Sequence, residues 1–201
     1  MNEYYMFHKP RGCITARRDP RHKTVMDYFP EEKRDVLFPV GRLDKDTEGL
    51  LIITNDGRLS FDIMNPQHEV PKTYFFWALG VPCEEKLREI EQGVRVYSNR
   101  EESTSPAKVT VLEKACLKDI AGYLDYEDTK ISLRHGAMPV FSGTITITEG
   151  KKHQVKRMLR FAGNRVLYLK RLEISHLELD PQLLPGEYRP ITEQELSLLI
   201  C

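Results

Sequence analysis

VGRLDKDTEGLLIITNDG, from Val40 to Gly57, joins an acidic turn to an apolar run and contains the first candidate for a catalytic group. Its apolar residues, together with those just before it, predict one strand over Phe38 to Leu43 and another over Leu50 to Thr54. Asp44 would then lie at a strand end, with Arg42 two residues earlier on the same side of the extended chain. A carboxylate beside a fixed cation stays ionised when partly desolvated, which suits a single catalytic aspartate at the floor of a cleft. The alternative is a solvated acidic loop.

Similar patterns predict strands and helices along the rest of the chain. Further strands are predicted at Tyr4 to His8, Thr73 to Leu79, Ala107 to Leu112, Thr144 to Thr148 and Arg165 to Ile174, and helices at Arg58 to Met64, Glu84 to Gln92, His153 to Ala162 and Glu193 to Leu199. Clusters of strands with helices between them indicate an α+β fold. Asn99 to Pro106 is predicted to be a polar loop. Lys114 to Pro139 is predicted to be irregular, an insertion with the acidic residues Asp125 to Asp128 at its surface.

Length and composition limit the class of protein. At 201 residues with 40% hydrophobic content, the chain is long enough for one sizeable domain or two packed halves. The N-terminus does not resemble a secretory signal, and no apolar run reaches the ~20 residues of a membrane span, so we expect a cytoplasmic protein that does not enter the membrane. The cysteines Cys13, Cys83, Cys116 and Cys201 have no CxxC spacing, which predicts reduced thiols and no zinc site.

Charge is balanced over the whole chain but uneven along it. Thirty basic and thirty acidic residues give no net charge, which argues against a generic nucleic-acid binder. However, Lys151 to Arg171 contains eight basic residues and no acid, and Lys9 to Lys23 contains six against Asp19 alone. If these segments converge, they form a phosphate-binding surface. The alternative is an ordinary solvated helix face.

Four short motifs follow one another along the chain. His8 to Gly12 reads HKPRG, Gly41 to Leu51 reads GRLDKDTEGLL, Pro71 to Tyr74 reads PKTY, and Glu149 to Met158 reads EGKKHQVKRM. In this order, and nearly end to end, they resemble the RsuA-type pseudouridine synthases, bacterial enzymes that isomerise single uridines in ribosomal RNA.

The resemblance implies the pseudouridine synthase fold, a mixed and largely antiparallel sheet in two halves with the catalytic cleft between them. Residues 1–201 would form one catalytic domain. Many RsuA-type proteins carry a small RNA-binding module in front of the first motif, which here begins at His8. We therefore expect the catalytic domain to find its RNA alone, helped by Lys114 to Pro139.

The resemblance also implies the catalytic groups. Asp44 corresponds to the indispensable aspartate, which acts as a nucleophile or removes a ribose proton. Lys156 takes the place of a cation, most often Arg in the family, that accompanies the aspartate; a phosphate contact is the alternative. Tyr74 corresponds to a tyrosine that stacks on the flipped base and takes part in removing the proton from carbon 5. Without the motif we would assign Tyr74 to the core, because it lies in an aromatic strand beside Phe75, Phe76 and Trp77. Alternation places Tyr74 and Phe76 on one strand face and Phe75 and Trp77 on the other, and only one face can line the cleft.

Other residues are expected to bind substrate. Arg42 resembles the basic residue that fills the space of the extruded uridine; otherwise it forms an ion pair with Asp44. His153 and Gln154 would position RNA at a helix start, and Arg157 could replace Lys156 only in another helix register. The remaining candidate RNA contacts are Lys9, Arg11, Lys72 and Lys152.

The reaction that the resemblance implies detaches uracil from ribose at nitrogen and rejoins it through carbon, so no cofactor or metal is expected. The substrate would be structured RNA with its uridine in a loop, bulge or junction, where unstacking costs least. Ribosomal RNA is the first expectation and transfer RNA the second, and no obligatory protein partner is evident. A non-catalytic RNA-binding or ribosome-assembly factor on the same fold is an alternative, against which Asp44, Arg42 and Tyr74 argue. An aspartate-dependent hydrolase would need a second carboxylate or an activated water, and no recognisable motif supplies paired acids.

Overall fold

The structure, a computed structural model, describes residues 1–97 and 101–199, so Cys201 and the first part of the predicted loop Asn99 to Pro106 lie outside it. The strands are β1 (Tyr4–Lys9), β2 (Phe38–Pro39), β3 (Glu48–Thr54), β4 (Lys72–Leu79), β5 (Arg95–Tyr97), β6 (Glu101–Ser103), β7 (Lys108–Cys116), β8 (Pro139–Ile147), β9 (Arg165–Ile174), β10 (Leu177–Glu178) and β11 (Tyr188–Pro190). The α-helices are α1 (Glu31–Arg34), α2 (Gly57–Met64), α3 (Glu84–Gln92), α4 (Tyr126–His135), α5 (Gln154–Phe161) and α6 (Glu193–Ser197). Short 3-10 helices span Val25–Tyr28, Pro66–His68 and Leu117–Tyr123.

The first of two compact units contains Met1–Lys72 and Lys170–Cys201. Strand β3 pairs antiparallel with β1 and β2 and parallel with the end of β9, while β1 also pairs antiparallel with β11. Because β3 is apolar from Gly49 onward and fully covered, it forms the centre of this unit. Helix α2 begins at the N-cap Asp56, whose side chain accepts hydrogen bonds from two backbone N–H groups, and packs its apolar face onto the strands.

The second unit is Thr73–Leu169. In its sheet β7 pairs antiparallel with β8, and β4 lies between β8 and β9, whereas β5 and β6 form a separate hairpin. A core of aromatic and aliphatic residues forms where Trp77 packs against the 3-10 helix Leu117–Tyr123 and β9. The mixed sheet confirms the α+β prediction. Across residues 1–97 and 101–199, no helix is long and apolar enough to cross a bilayer.

Apolar periodicity predicted the bounds of α3 and β9 correctly. The predicted strand Phe38 to Leu43 is wrong beyond Pro39. Gly41 has a φ of +72°, outside the extended range, and the backbone N–H and C=O of Leu43 bond to the Thr15 side chain instead of to a strand. Asp44 therefore does not lie at a strand end.

The prediction that Lys114 to Pro139 is irregular is also wrong. This stretch contains the end of β7, the 3-10 helix Leu117–Tyr123, α4 and the first residue of β8. Asp128, predicted to be at the surface, is buried, and its carboxylate accepts a 2.6 Å hydrogen bond from Arg165. Part of the predicted polar loop, Glu101–Ser103, is strand β6.

The parallel contact between β3 and β9 requires glycine at position 49. Gly49 has a φ of +113°, and a Cβ there would lie 2.2 Å from the backbone oxygen of Arg171. We expect Gly49→Ala to lower the free energy of unfolding by about 3 kcal/mol or more, measured by urea denaturation. Gly57→Ala is the control, because a Cβ at Gly57 meets nothing within 4 Å. Equal stability of the two variants would contradict this packing.

Candidate active site

Asp44 lies in a turn between β2 and β3. Its carbonyl oxygen accepts a 3.1 Å hydrogen bond from the N–H of Thr47, which closes the turn, and its side chain is half-buried. Asp46 in the same turn is exposed. The acids that follow Arg42 therefore have different environments, and only Asp44 combines partial burial with a place inside the turn.

The backbone on both sides of Asp44 is fixed by side chains and by a neighbouring loop. Before it, the Thr15 hydroxyl accepts a hydrogen bond from the N–H of Leu43 (3.1 Å) and donates one to its carbonyl (2.8 Å). After it, the carbonyl of Lys45 accepts a 2.8 Å bond from the N–H of Gly12. A carboxylate whose backbone is held in this way is preorganised, because little conformational freedom remains to be lost when substrate binds.

Lys9 supports the same turn from inside the protein. It is fully buried, and its ammonium donates to the carbonyl oxygens of Thr47 (2.8 Å) and Pro10 (3.0 Å). Burial lowers the pKa of Lys9, and the surrounding negative charges, those of Asp44 and Asp46 among them, oppose that shift. The prediction that Lys9 contacts the RNA backbone is wrong, since a residue without exposed surface has a structural role here. Arg11, its neighbour in the motif, is half-buried, and its RNA contact stays a prediction.

Glu48, the first residue of β3, is also tied to its surroundings. Its carboxylate lies 3.0 Å from Nε2 of His8 and 3.5 Å from Nζ of Lys170. The acidic turn is therefore held in place at its end. It is not the uniformly solvated acidic loop that was the alternative. Arg42, at the start of the motif, is exposed, as a residue that enters RNA must be.

Lys72 was predicted to bind substrate but is only 6% exposed, and its ammonium donates a 2.8 Å hydrogen bond to the carbonyl of Val70. In this structure the ammonium therefore bonds to the backbone of its own unit, and its contact with substrate stays a prediction. Burial lowers the pKa of Lys72 to about 8, and the nearby positive charge of Arg171 acts in the same direction.

This shift predicts a pH-dependent stability. Below pH 8 the folded and unfolded chains both hold the Lys72 proton, whereas between about pH 8 and 10.5 only the unfolded chain holds it, so stability attributable to Lys72 rises with pH through that window. We expect Lys72→Met to raise the free energy of unfolding at pH 7 by up to about 3 kcal/mol and to flatten this rise. Urea denaturation at pH 7 and pH 9.5 tests it, with the exposed Lys152→Met as control. A loss of stability in Lys72→Met at pH 7 would mean that the ammonium is stabilising.

In the second unit the EGKKHQVKRM motif forms the loop before α5 and the first part of that helix. Lys152 and His153 are exposed, and His153 has a φ of +52°, which turns the chain into the helix. Lys156 is half-buried on α5. The predicted roles of these three residues stay predictions.

Two residues of this motif were predicted to contact substrate and hold the loop together. Gln154 is 3% exposed; its amide donates to Glu149 (2.6 Å) and its oxygen accepts from the N–H of Lys151 (3.0 Å). Arg157 is 8% exposed, and its guanidinium donates to Glu102 of β6 (2.8 Å) and to the carbonyl of Lys152 (2.9 Å). Both sets of contacts stabilise the loop before α5 and the start of that helix, and the predicted RNA contacts of Gln154 and Arg157 stay predictions.

Tyr74 lies on β4 and is 8% exposed. The predicted alternation is visible next to it, because Phe75 and Trp77 pack together at 6.2 Å, edge to face, on one side of the strand. Phe76 packs on Phe141. The stacking role of Tyr74 stays a prediction.

The basic segment Lys151 to Arg171 is not a uniform solvated face. Arg157 and Arg171 are buried, and Arg165 pairs with Asp128. Sequence reasoning also missed Thr15 and Glu102, which position the Asp44 turn and α5. Neither lies in a recognisable motif, and their partners are 28 and 55 residues away, so no local pattern could have identified them.

Comparison with known proteins agrees with these features. Residues 3–161 match the protein family described as RNA pseudouridylate synthase. The chain is 43% identical over 197 residues to the uncharacterized RNA pseudouridine synthase YtzG of Bacillus subtilis (strain 168), covering 98% of this chain and 72% of that protein. It is 34% identical over 197 residues to the ribosomal small subunit pseudouridine synthase A of Escherichia coli (strain K12), covering 98% and 74%. A crystal structure of a pseudouridylate synthase aligns with a TM-score of 0.78 at 33% identity, covering 100% of this chain and 74% of that one. The chain therefore belongs to the RNA pseudouridylate synthases of the RsuA type, enzymes that isomerise uridine in RNA.

Proposed function

We propose that this protein converts one uridine of ribosomal RNA to pseudouridine in the cytoplasm and that Asp44 is its essential carboxylate. The observation that carries the proposal is the turn around Asp44, whose backbone is fixed by Thr15 on one side and by Gly12 and Lys9 on the other. A protein that only binds RNA gains nothing from a carboxylate held in this way, because a negative charge repels phosphate. Ribosomal RNA is proposed as substrate because similar proteins are named ribosomal small subunit pseudouridine synthase A.

The roles of the other groups follow from the chemistry. The bond between ribose and the uracil nitrogen breaks, the base turns, and a bond to carbon 5 forms; carbon 5 then loses its proton and the released nitrogen takes one up, so that the product is an isomer of uridine. Asp44 either attacks the substrate or removes a ribose proton, and in both cases it must start as an anion. We assign the accompanying cation to Lys156 and the contact with the flipped base to Tyr74. Exposed Arg42 would fill the space that the base leaves, so that the base stays out of the stack during the reaction.

The test is a map of pseudouridines in ribosomal and transfer RNA from cells with and without the gene, by a chemical adduct that stops reverse transcription. We expect one ribosomal site to disappear and to return with the wild-type gene. RNA from the deleted strain, incubated with purified protein, should regain the same site. If the site lies in transfer RNA, the substrate assignment is wrong while the activity stands. If purified protein modifies neither RNA, the protein is an RNA-binding factor on the synthase fold.

A further inference from the structure

The helix α4 (Tyr126–His135) is built differently from an ordinary surface helix. Among its ten residues the single buried one is Asp128, and that residue is charged. A surface helix is normally held by an apolar stripe that faces the core, and short helices are marginal without one. Here the helix is instead held by the Asp125 N-cap, whose carboxylate accepts from the N–H of Asp128 (2.8 Å), and by the pairing of Asp128 with Arg165.

The apolar residues of α4 and its surroundings point outward. Fourteen large apolar side chains are exposed among residues 1–97 and 101–199, and six of them fall between positions 112 and 138. On α4 itself Tyr126 is 74% exposed and Leu133 is 84% exposed. Because these residues lie seven positions apart, they share one face of the helix. An exposed apolar face on a helix indicates a surface that a partner covers when the protein functions.

The basic residues of this surface indicate which kind of partner binds to it. From Thr129 to Ile147 the sequence contains no acidic residue, whereas α4 carries Lys130 at its middle and Arg134 and His135 at its carboxyl end. The neighbouring 3-10 helix adds Lys118, whose N–H donates to the carbonyl of Gly136 (3.0 Å), directly after His135. The carboxyl end of α4 is therefore a basic patch, which fits a polyanion better than another apolar protein surface.

Aromatic residues on the same surface indicate which kind of polyanion binds there. The ammonium of Lys130 lies 4.0 Å from the centre of the Tyr126 ring, and Glu127 holds that ammonium at 3.0 Å. On the 3-10 helix, Tyr123 is 41% exposed and packs edge to face on Tyr168 at 4.9 Å. Fixed, exposed rings beside cations are the arrangement with which proteins stack unpaired bases and track a phosphate backbone.

We propose that the α4 surface, formed by Lys118, Tyr123, Tyr126, Lys130, Leu133, Arg134 and His135, binds an unpaired stretch of the substrate RNA. This inference rests on the RNA substrate proposed above and assigns to α4 a docking role separate from the chemistry. The tyrosine rings stack on bases, and the basic residues at the carboxyl end of α4 contact phosphates. An RNA that contains a single-stranded segment is therefore preferred over a continuous duplex.

The test uses the full chain and a fluorescein-labelled twelve-nucleotide oligouridine RNA, followed by fluorescence anisotropy at several salt concentrations. We expect Lys118→Ala with Arg134→Ala to weaken binding and to reduce the slope of log K against log salt by about 1.4, since each lost phosphate contact contributes about 0.7 on single strands. Tyr126→Ala should weaken binding by about 5- to 100-fold. The control is Arg88→Ala with Lys108→Ala, which removes the same charge from exposed positions on α3 and β7 and should change binding little.

Three further readouts decide the interpretation. Circular dichroism and thermal unfolding must show that the variants remain folded, as expected for exposed positions. Turnover of the wild type and of the Arg88→Ala, Lys108→Ala control separates the two proposals: an inactive wild type is a failure of the catalytic assignment, whereas an active wild type with unchanged RNA affinity in the α4 variants is a failure at α4. Unchanged oligouridine affinity, or equal losses in variants and control, would overturn the proposal. Dimerisation of the wild type that Leu133→Ser abolishes would also overturn it and make this face an interface between copies of the chain.

Discussion

Replacing Asp44 by Asn is expected to slow isomerisation by about four orders of magnitude while RNA affinity stays within a few-fold of wild type. The amide keeps the size of the carboxylate, and the backbone bonds that hold the turn, which come from Thr15, Gly12 and Lys9, remain in the variant. What disappears is the anion that attacks the substrate or removes its proton. Release of tritium from RNA labelled at carbon 5 of uridine measures the reaction, and filter binding measures affinity.

The same turn provides the control. Asp46 lies two residues further on and is exposed, so Asp46→Asn removes the same charge from nearly the same place. We expect that variant to keep its turnover within about threefold, because a solvated charge is strongly screened. If both variants lose activity equally, the site needs negative charge in general and Asp44 has no specific chemical role. If Asp44→Asn retains turnover, Asp44 is not part of the mechanism.

The bounds of strand β9 and helix α3 were predicted to the residue. In both cases the local sequence is sufficient, because β9 is rich in β-branched and apolar residues and α3 has Leu87 and Ile90 three positions apart on one helix face. The predicted strand Phe38 to Leu43 failed because Gly41 takes a positive φ and because Leu43 has its backbone partners in the Thr15 side chain, 28 residues away. A hydrogen bond of that kind decides where a strand ends and leaves no periodic pattern.

The motif residues were harder to predict than the elements. Lys9, Lys72 and Arg157 were all predicted to contact RNA, since a basic residue in a motif of an RNA enzyme is expected to bind phosphate. All three are buried, and each donates to backbone carbonyls of its own unit. Their burial depends on neighbours that come together only in the folded chain. Lys152, His153 and Lys156 belong to the same basic run as Arg157, and only the structure separates the exposed or half-buried residues from the buried one.

Lys156 and its neighbour Arg157 have different surroundings on α5, and this difference gives the second large expected effect on activity. The guanidinium of Arg157 donates to Glu102 and to the carbonyl of Lys152, so it is bonded to its own unit. Lys156, one position earlier on α5, points about 100° away and is half-buried. If Lys156 is the cation that accompanies Asp44, removing it leaves the carboxylate without its counter-charge in a site that excludes water.

We therefore expect Lys156→Ala to lower kcat by about 100-fold or more, whereas Lys156→Arg retains activity within about tenfold because it keeps the positive charge. Arg160→Ala is the matched control, since Arg160 lies one turn further along α5 and is exposed. The division between kcat and KM distinguishes the two roles that a lysine on this helix can have. A phosphate contact stabilises bound substrate and transition state alike, so its loss raises KM and leaves kcat unchanged. A counter-charge to Asp44 acts on the reacting groups, so its loss lowers kcat, and an Ala variant with normal kcat and raised KM would move Lys156 from the catalytic site to the RNA-binding surface.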